Sequence, residues 1–368
     1  MNEPAESFVR EIAEAEREDI VRFALRSLDL DAETRAPAAD SLAGRPPIQG
    51  YDLGRPFDFE ALIRSFSSTG FQASALGEAI SILREVRRRR IPLYLGITSN
   101  VGTCGLRDNV TFLIEREHVR GLAATAGAIE EDVMKVAMPF LRGDFGANDA
   151  ELRRRSICRT GNIYIPADRY AWLHLVLWTL HRRLGRERTG PLGVVEYVRE
   201  LGRQLELLNI SGREQSFVYQ AYRKSISIYS PALMDGAIGD AVYYLRRHDP
   251  SFALDVSRAH QQLIEDMMVA RSEHEGLAIL AVGGSVPKHL LCNSAIFARG
   301  ATHAIYVNTG LEAEGSNAGA PPSEAISWGK LEPSGRAVKV HAEATLVLPI
   351  LLAATYQVAQ PELDASTP

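Results

Sequence analysis

Between residues 5 and about 28, apolar side chains return at helical spacing inside dense charge, with Phe8, Ile12, Ile20, Phe23 and Ala24 marking the repeat. This pattern predicts an amphipathic N-terminal helical arm. Residues 31–47 carry Ala, Pro and Asp in place of a periodic pattern and read as a linker. From Ile48 the chain alternates between short apolar runs and longer periodic stretches. Helices are predicted over 58–66, 75–90 (Leu76, Ile80 and Leu83 on one face), 110–118, 129–138, 167–184, 191–208 and 344–356. Strands are predicted over 92–98 (PLYLGIT), 121–125, 227–229, 277–282, 303–308 and 338–341, with further helices between them. Strands alternating with helices point to an α/β fold: a single Rossmann-like domain whose mostly parallel sheet is covered by helices on both faces. The expected organisation is an arm and linker over 1–47, one domain over 48–358 and a C-terminal tail over 359–368. No internal repeat is evident.

Composition narrows the function classes. With 46% hydrophobic and 24% charged residues the chain reads as soluble and globular. A formal net charge of −5 argues against a nucleic-acid scaffold. The run Arg87-Arg88-Arg89-Arg90 closes a predicted helix, where cations meet the negative end of the macrodipole, so no nucleic-acid partner is expected. The three cysteines, Cys104, Cys158 and Cys292, are far apart and form no metal-ligand spacing, so no metal site or disulfide framework is expected. The opening MNEPAESFVREIAEAERED is too charged for a signal peptide. The apolar run 344–356 is shorter than the roughly 20 residues a spanning helix needs, and it holds Pro349. A cytoplasmic protein without a membrane segment is the expectation. Of 41 basic residues only five are Lys (Lys135, Lys224, Lys288, Lys330, Lys339), so each Lys stands against a background of Arg.

Small polar clusters follow four predicted strands: Thr98-Ser99-Asn100, Thr125-Ala126-Gly127, Gly283-Gly284-Ser285 and Asn308-Thr309-Gly310. In open α/β sheets ligands bind at the carboxyl ends of strands, and helix N-termini there favour anions, so the clusters fit a dinucleotide crevice. Equally, Gly, Ser and Asn end strands simply as turn formers. No GxGxxG fingerprint is present. The segment 283–330 concentrates Lys288, His289, Asn293, Glu312, Glu314, Asn317, Glu324, Trp328 and Lys330. An aromatic ring beside carboxylates suits an alkylammonium ligand, and a lysine next to an apolar ring can act as a nucleophile. On local chemistry alone, Trp328 as ordinary core and Lys330 as an exposed loop charge serve as well.

A series of longer motifs decides between these readings. GYDLGRPFDFEALIRSFSSTGFQA (50–73), YLGITSNVGTCGLRDNV (94–110), TAGAIEEDVMK (125–135), SPALMDGAIGD (230–240), GGSVPKHLLCN (283–293), YVNT (306–309), SEAISWGK (323–330) and VKVHAEATLVLP (338–349) resemble deoxyhypusine synthase, in that family's order, over roughly residues 48–358. The SWGK and KH segments are specific to that family and to its homospermidine synthase offshoot.

The resemblance implies an NAD-dependent aminobutyl transferase. NAD would take a hydride from the carbon beside the secondary amine of spermidine. The lysine of SWGK, Lys330, would attack the resulting imine and displace diaminopropane, and an acceptor amine would take over the aminobutyl group before the hydride returns. His289 matches the family's histidine beside the reacting carbon, a candidate proton shuttle. Asp240 and Glu324 match ligands of the polyamine amines, Trp328 the aromatic wall, and Asn293 and Tyr306 further pocket residues. Ser99, Asn100, Thr103, Thr125, Gly127, Glu131, Asp235, Gly283, Gly284 and Thr309 stand where the family holds NAD. Glu314 and Glu343 replace aspartates that contact ligand or cofactor, and each is one methylene longer. Asn317 stands where the family binds a spermidine amine with an aspartate, and Ser285, Pro287 and Gly310 also depart from its pattern. These departures imply a shifted substrate rather than a dead site. The acceptor is either a lysine of the hypusine-bearing translation factor or a small diamine, and the Arg-rich composition favours the diamine, as in homospermidine synthesis. The resemblance further implies a homotetramer with sites at subunit contacts. The alternative is a catalytically silent NAD-binding paralogue that regulates a partner subunit.

Overall fold

The computed structural model describes residues 14–27, 44–187 and 190–357. The chain divides into two compact units, Met1–Ile48 and Gln49–Pro368. In the first, a helix spans Glu14–Ser27, inside the stretch where periodicity predicts one. Most of the expected linker and the tail over 359–368 lie outside the described residues.

The second unit is built on six strands: β1 (Leu93–Ile97), β2 (Gly121–Ala124), β3 (Ser227–Tyr229), β4 (Ala278–Val282), β5 (Ala301–Asn308) and β6 (Leu331–His341). They form one sheet in the order β6-β5-β4-β1-β2-β3, with every neighbouring pair parallel. Parallel strands require helical crossovers, so both faces are covered and the strands read as continuous apolar runs. Side chains alternate between the two faces. Leu93, Leu95, Ile97, Leu280, Val282, Ile305 and Val307 join the core that includes Leu76, Ile80 and Leu83 of the helix Phe71–Arg88 and Leu348 and Leu351 of the helix Ala344–Tyr356. Tyr94, Ile279, Ala304 and Tyr306 join a second core with Leu263 and Met267 of the helix Val256–Glu273 and Leu291 and Ala295 of the helix Ser285–Phe297. Each buried Leu or Ile contributes about 1.5–3 kcal/mol relative to an exposed one. Among the described residues, no helix is long and apolar enough to cross a membrane.

Two features depart from the sequence reading. The strand predicted over 338–341 begins at Leu331, through Pro333, Ser334 and Gly335. Its ladder to β5 shifts register, with Ala301 opposite Leu331 but His303 opposite Arg336, and an edge strand tolerates such a bulge and a proline. A small antiparallel sheet of Leu141–Arg142, Ile157–Thr160 and Ile163–Pro166 has no counterpart in the predicted elements.

The chain runs from β1 outward to β2 and β3, then returns to place β4 on the other side of β1. The sheet therefore has a topological switch point between β1 and β4, where the connections diverge and leave a crevice at the carboxyl ends.

Candidate active site

All four polar clusters sit at the carboxyl ends of adjacent strands. Thr98 caps the helix Ser99–Thr103, Thr125 the helix Ala126–Ala137 and Gly284 the helix Ser285–Phe297, and Asn308 ends β5. The clusters after β1, β4 and β5, together with the start of the helix Ala344–Tyr356, line a cleft of about 360 Å³, whose walls include Asn100, Gly283, Gly284, Thr309 and Glu343; the cluster after β2 is not among its walls. The loops after β1 and β2 are tied by the Ser99 and Thr125 hydroxyls, 2.8 Å apart. Gly127 makes that approach possible, since a Cβ there would lie 2.5 Å from Ser99 Oγ. Gly283 has φ +88 and abuts Thr98, a conformation and a closeness that favour glycine. Asn308 lines the cleft; its Oδ1 accepts from Gly310 N at 3.1 Å, while its Nδ2 is buried with no hydrogen-bond partner among the described residues. A buried donor left over in a cleft fits a polar ligand that accepts it. Glu343 turns one oxygen onto Thr345 N at 2.9 Å, capping its own helix.

Beneath this cleft, Thr103 bonds the buried carboxyl of Glu131, and burial pushes Glu131 up to about 7, Thr103 opposing the shift. Lys135 closes the helix Ser99–Thr103 by donating to the carbonyls of Gly102 (2.8 Å), Thr103 and Cys104 (3.0 Å).

A second group lies along the helix Ser285–Phe297. His289 and Asn293 are one turn apart, and Asn293 Nδ2 is 3.4 Å from both ring nitrogens of His289. Partial burial lowers the His289 pKa, and the cations Lys330 and Lys288 lower it further. Lys330 is half-buried, its Nζ 5.6 Å from the centre of the Trp328 ring, while Trp328 itself is 64% exposed and so is not core. Gly329, at φ +72, makes the turn between them. The Lys330 carbonyl accepts from Ala301 N at 2.9 Å, which anchors its backbone to β5. Among the described residues no ion pair holds the Lys330 ammonium. Glu324 is exposed on the short helix Pro322–Ser327. On the inner side of the helix Ser285–Phe297, Lys288 is buried and Tyr306 fully so, the Tyr306 hydroxyl 3.4 Å from Cys292 Sγ; Tyr306 thus faces that buried layer rather than an open cleft. Asn317 is half-buried, its Nδ2 3.4 Å from Ser285 O, and Glu314 is exposed in the turn Glu312–Glu314.

The third group is acidic. Glu130 is buried and accepts from Ile238 N at 3.0 Å, and a Cβ on Gly236 would lie 2.7 Å from its carboxylate. Burial raises the Glu130 pKa, and Asp240 and Asp235 add to the rise. Asp235 and Asp240 therefore gather at the start of the helix Ala237–Arg246, after β3, whereas Lys330 precedes β6 on the opposite edge of the sheet. Among the described residues, no hydrogen bond or ion pair joins them to the lysine. Glu130 is absent from the residues singled out in the sequence; its one signal is the run of carboxylates Glu130-Glu131-Asp132 on a largely buried helix.

Residues 61–355 match the family model for deoxyhypusine synthase. The chain belongs to the deoxyhypusine synthase family. A deoxyhypusine synthase relative from Pyrococcus abyssi is 37% identical over 315 residues, covering 83% of this chain and 93% of that protein. The deoxyhypusine synthase of Musa acuminata is 35% identical over 343 residues, covering 84% and 88%. Among solved structures, a deoxyhypusine synthase of Entamoeba histolytica superposes with a TM-score of 0.59 at 25% identity, covering 85% of this chain and 98% of that one. The chain is thus an enzyme of the deoxyhypusine synthase type, a transferase of polyamine metabolism, and the parallel sheet is that family's fold.

Proposed function

We propose that this chain moves a 4-aminobutyl group from spermidine, or a related polyamine, to an amine acceptor, with Lys330 as the covalent nucleophile and NAD as the cofactor. The observation that carries the reading is the Lys330 amine, half-buried beside an exposed Trp328, with no carboxylate partner among the described residues and with the His289–Asn293 pair near enough to feel its charge. An unpaired amine against an indole face is available to attack an electrophilic carbon, as Arg is not.

NAD would lie in the cleft at the switch point and, when bound, supply a hydride acceptor and donor. Ser99, Asn100, Thr125, Gly283, Gly284 and Thr309 would hold it through main chain and hydroxyls, with Glu343 toward ribose hydroxyls and Asn308 Nδ2 satisfied by a ligand acceptor. Thr103, Gly127, Glu131 and Asp235 would act from behind this layer. His289, whose charged form is disfavoured by burial and by Lys330 and Lys288, would take a proton and return it to the leaving amine. Lys330 Nζ forms a bond to the aminobutyl carbon as diaminopropane leaves, and the acceptor amine then replaces Lys330. Trp328 would face the alkylammonium chain, with Glu324, Asn293 and Asn317 around it.

Asp240, with Glu130 beside it, would take an ammonium end of the polyamine. Its separation from Lys330 within one chain supports sites completed at subunit contacts of a homotetramer. A small diamine is the acceptor we favour over a protein lysine, and a cytoplasmic setting fits either.

The test is borohydride trapping with spermidine and NAD. It should add an aminobutyl mass to the peptide carrying Lys330, with diaminopropane released. Label on Lys288, or none with any polyamine, would overturn the reading.

A further inference from the structure

Lys288 is 3% exposed, yet the reaction proposed above gives it no task. No carboxylate lies within ion-pair distance among the described residues. Instead Nζ donates to the carbonyls of Asn317 (2.7 Å) and Ala320 (3.1 Å) and stands 4.1 Å from the centre of the Tyr306 ring. Burial pushes its pKa down to about 8. A cation buried without a counter-ion costs free energy, so its retention needs contacts that only a cation makes. A compact ammonium with three donors fits two converging carbonyls and a ring face, where a planar guanidinium does not.

The carbonyls it holds belong to the loop between β5 and the helix Pro322–Ser327. The same loop is held from β6 by Lys339, which donates to Gly310 O (2.8 Å) and Gly319 O. Ala318 packs so closely on Gly284 that a Cβ on that glycine would meet it at 2.3 Å. Gly310 and Ala318 also line the dinucleotide cleft, and Asn317 lies toward the polyamine side. One loop is therefore a wall of both halves of the site, and it is fixed by two lysines through its main chain.

We propose that Lys288 is a positioning residue whose ammonium pins residues 310–320 to the helix Ser285–Phe297, setting Asn317 and the cleft wall relative to His289. The polyamine part of this statement rests on the proposed function; the pinning does not. The Tyr306 ring, held in the fully buried layer under the helix, supplies the third contact and keeps Nζ from turning away.

The experiment compares the full-length protein with Lys288→Met and Lys288→Arg. In Lys288→Met, amide hydrogen exchange over residues 311–320 should quicken at least tenfold while the sheet strands keep wild-type protection. The KM for spermidine should rise at least fivefold, kcat should fall less, and borohydride label should remain on Lys330. Lys288→Arg, which keeps charge but not shape, should recover part of both effects. Should Lys288→Met fail to fold, Lys288→Gln serves in its place with the same readouts. A folded variant whose loop exchanges as in the wild type overturns the proposal, as does a fall in kcat at unchanged KM. If the wild type transfers no aminobutyl group, the functional reading fails, while the exchange result still decides the role of Lys288.

Discussion

The five lysines divide by what their ammonium groups touch. Lys135, Lys288 and Lys339 each close on two or three main-chain carbonyls, and Lys224 makes a surface ion pair with Glu117 at 3.3 Å. Lys330 alone faces only an aromatic ring. The scarcity of Lys is visible in the sequence, but its cause is not: three positions need a compact cation inside a carbonyl cage, and one needs an amine that reacts. Glu131 offers a pH test. Its folded-state pKa, raised by burial to about 7 from 4.5, means the native chain keeps a proton that the unfolded chain releases between those values. The stability this group contributes is therefore present below pH 4.5 and is lost as pH rises through 7, about 3 kcal/mol at most. Denaturant unfolding between pH 5 and 8 should show wild type losing stability relative to Glu131→Gln; parallel profiles would refute the assignment. Asn317 is the other informative position. An aspartate there gives up an amide donor to Ser285 O but supplies a negative charge toward a ligand ammonium, worth more than the ~0–1 kcal/mol of an exposed pair when partly desolvated. Asn317→Asp should lower the spermidine KM by a factor of several, and unchanged steady-state kinetics would mark the position as neutral. Lys330 and His289 are legible because they sit in motifs. Glu130 and the carbonyl cage of Lys288 are not, because burial and main-chain convergence have no local signature.

The helices Ser99–Thr103 and Ala126–Ala137 touch backbone to backbone. A Cβ on Gly102 would lie 2.7 Å from Ala128 O and 2.8 Å from its Cα, so side-chain bulk at 102 must push the two apart. These helices carry Ser99, Asn100 and Thr103 on one side and Gly127 and Glu131 on the other. Gly102→Val should cost about 1–3 kcal/mol of stability, as overpacking does, and, on the proposed function, weaken NAD binding at least tenfold. Calorimetric titration and denaturant unfolding check both, and unaltered affinity in a destabilised variant would separate the packing from the site. At this scale the sequence was most informative where strands are buried on both faces. Predicted runs 92–98, 121–125, 277–282 and 303–308 match β1, β2, β4 and β5 to within two residues, since continuous apolar runs between turn formers leave little choice. The front of β6 carries Pro333, Ser334 and Gly335, and its pairing comes from β5 rather than from local preference. The small strands at 141–142, 157–160 and 163–166 are too short to carry an alternation signal. The helix Phe71–Arg88 starts before its periodic stretch because Gly70 (φ 95) permits an abrupt turn and Phe71 faces solvent.

Across the whole molecule, the acidic group after β3 and the lysine group before β6 occupy opposite edges of the sheet, and Met234, Tyr243 and Tyr244 lie exposed on and just before the helix that carries Asp240. On the proposed function, a second copy packed on this surface would bury the apolar rings beside the carboxylate site. Light scattering at micromolar concentration should give a tetramer, and a stable monomer with full activity would exclude sites shared between subunits. The switch point has a consequence for how the chain acquires its activity. Its two walls follow β1 and β4, which pair Leu93 with Ala278 across most of the domain's length. Closing so long a span costs entropy that grows only slowly with length, yet nothing local rewards the step until β4 docks. During synthesis, the loops after β1 and β2 emerge long before Gly283 and Gly284 leave the ribosome, so a nascent chain carries only part of the cleft. On the proposed function, cofactor capture waits for this pairing and for the later walls at 308–310 and 342–345, and free dinucleotide at a hundredfold its Kd would then hold the finished fold by about 2.7 kcal/mol.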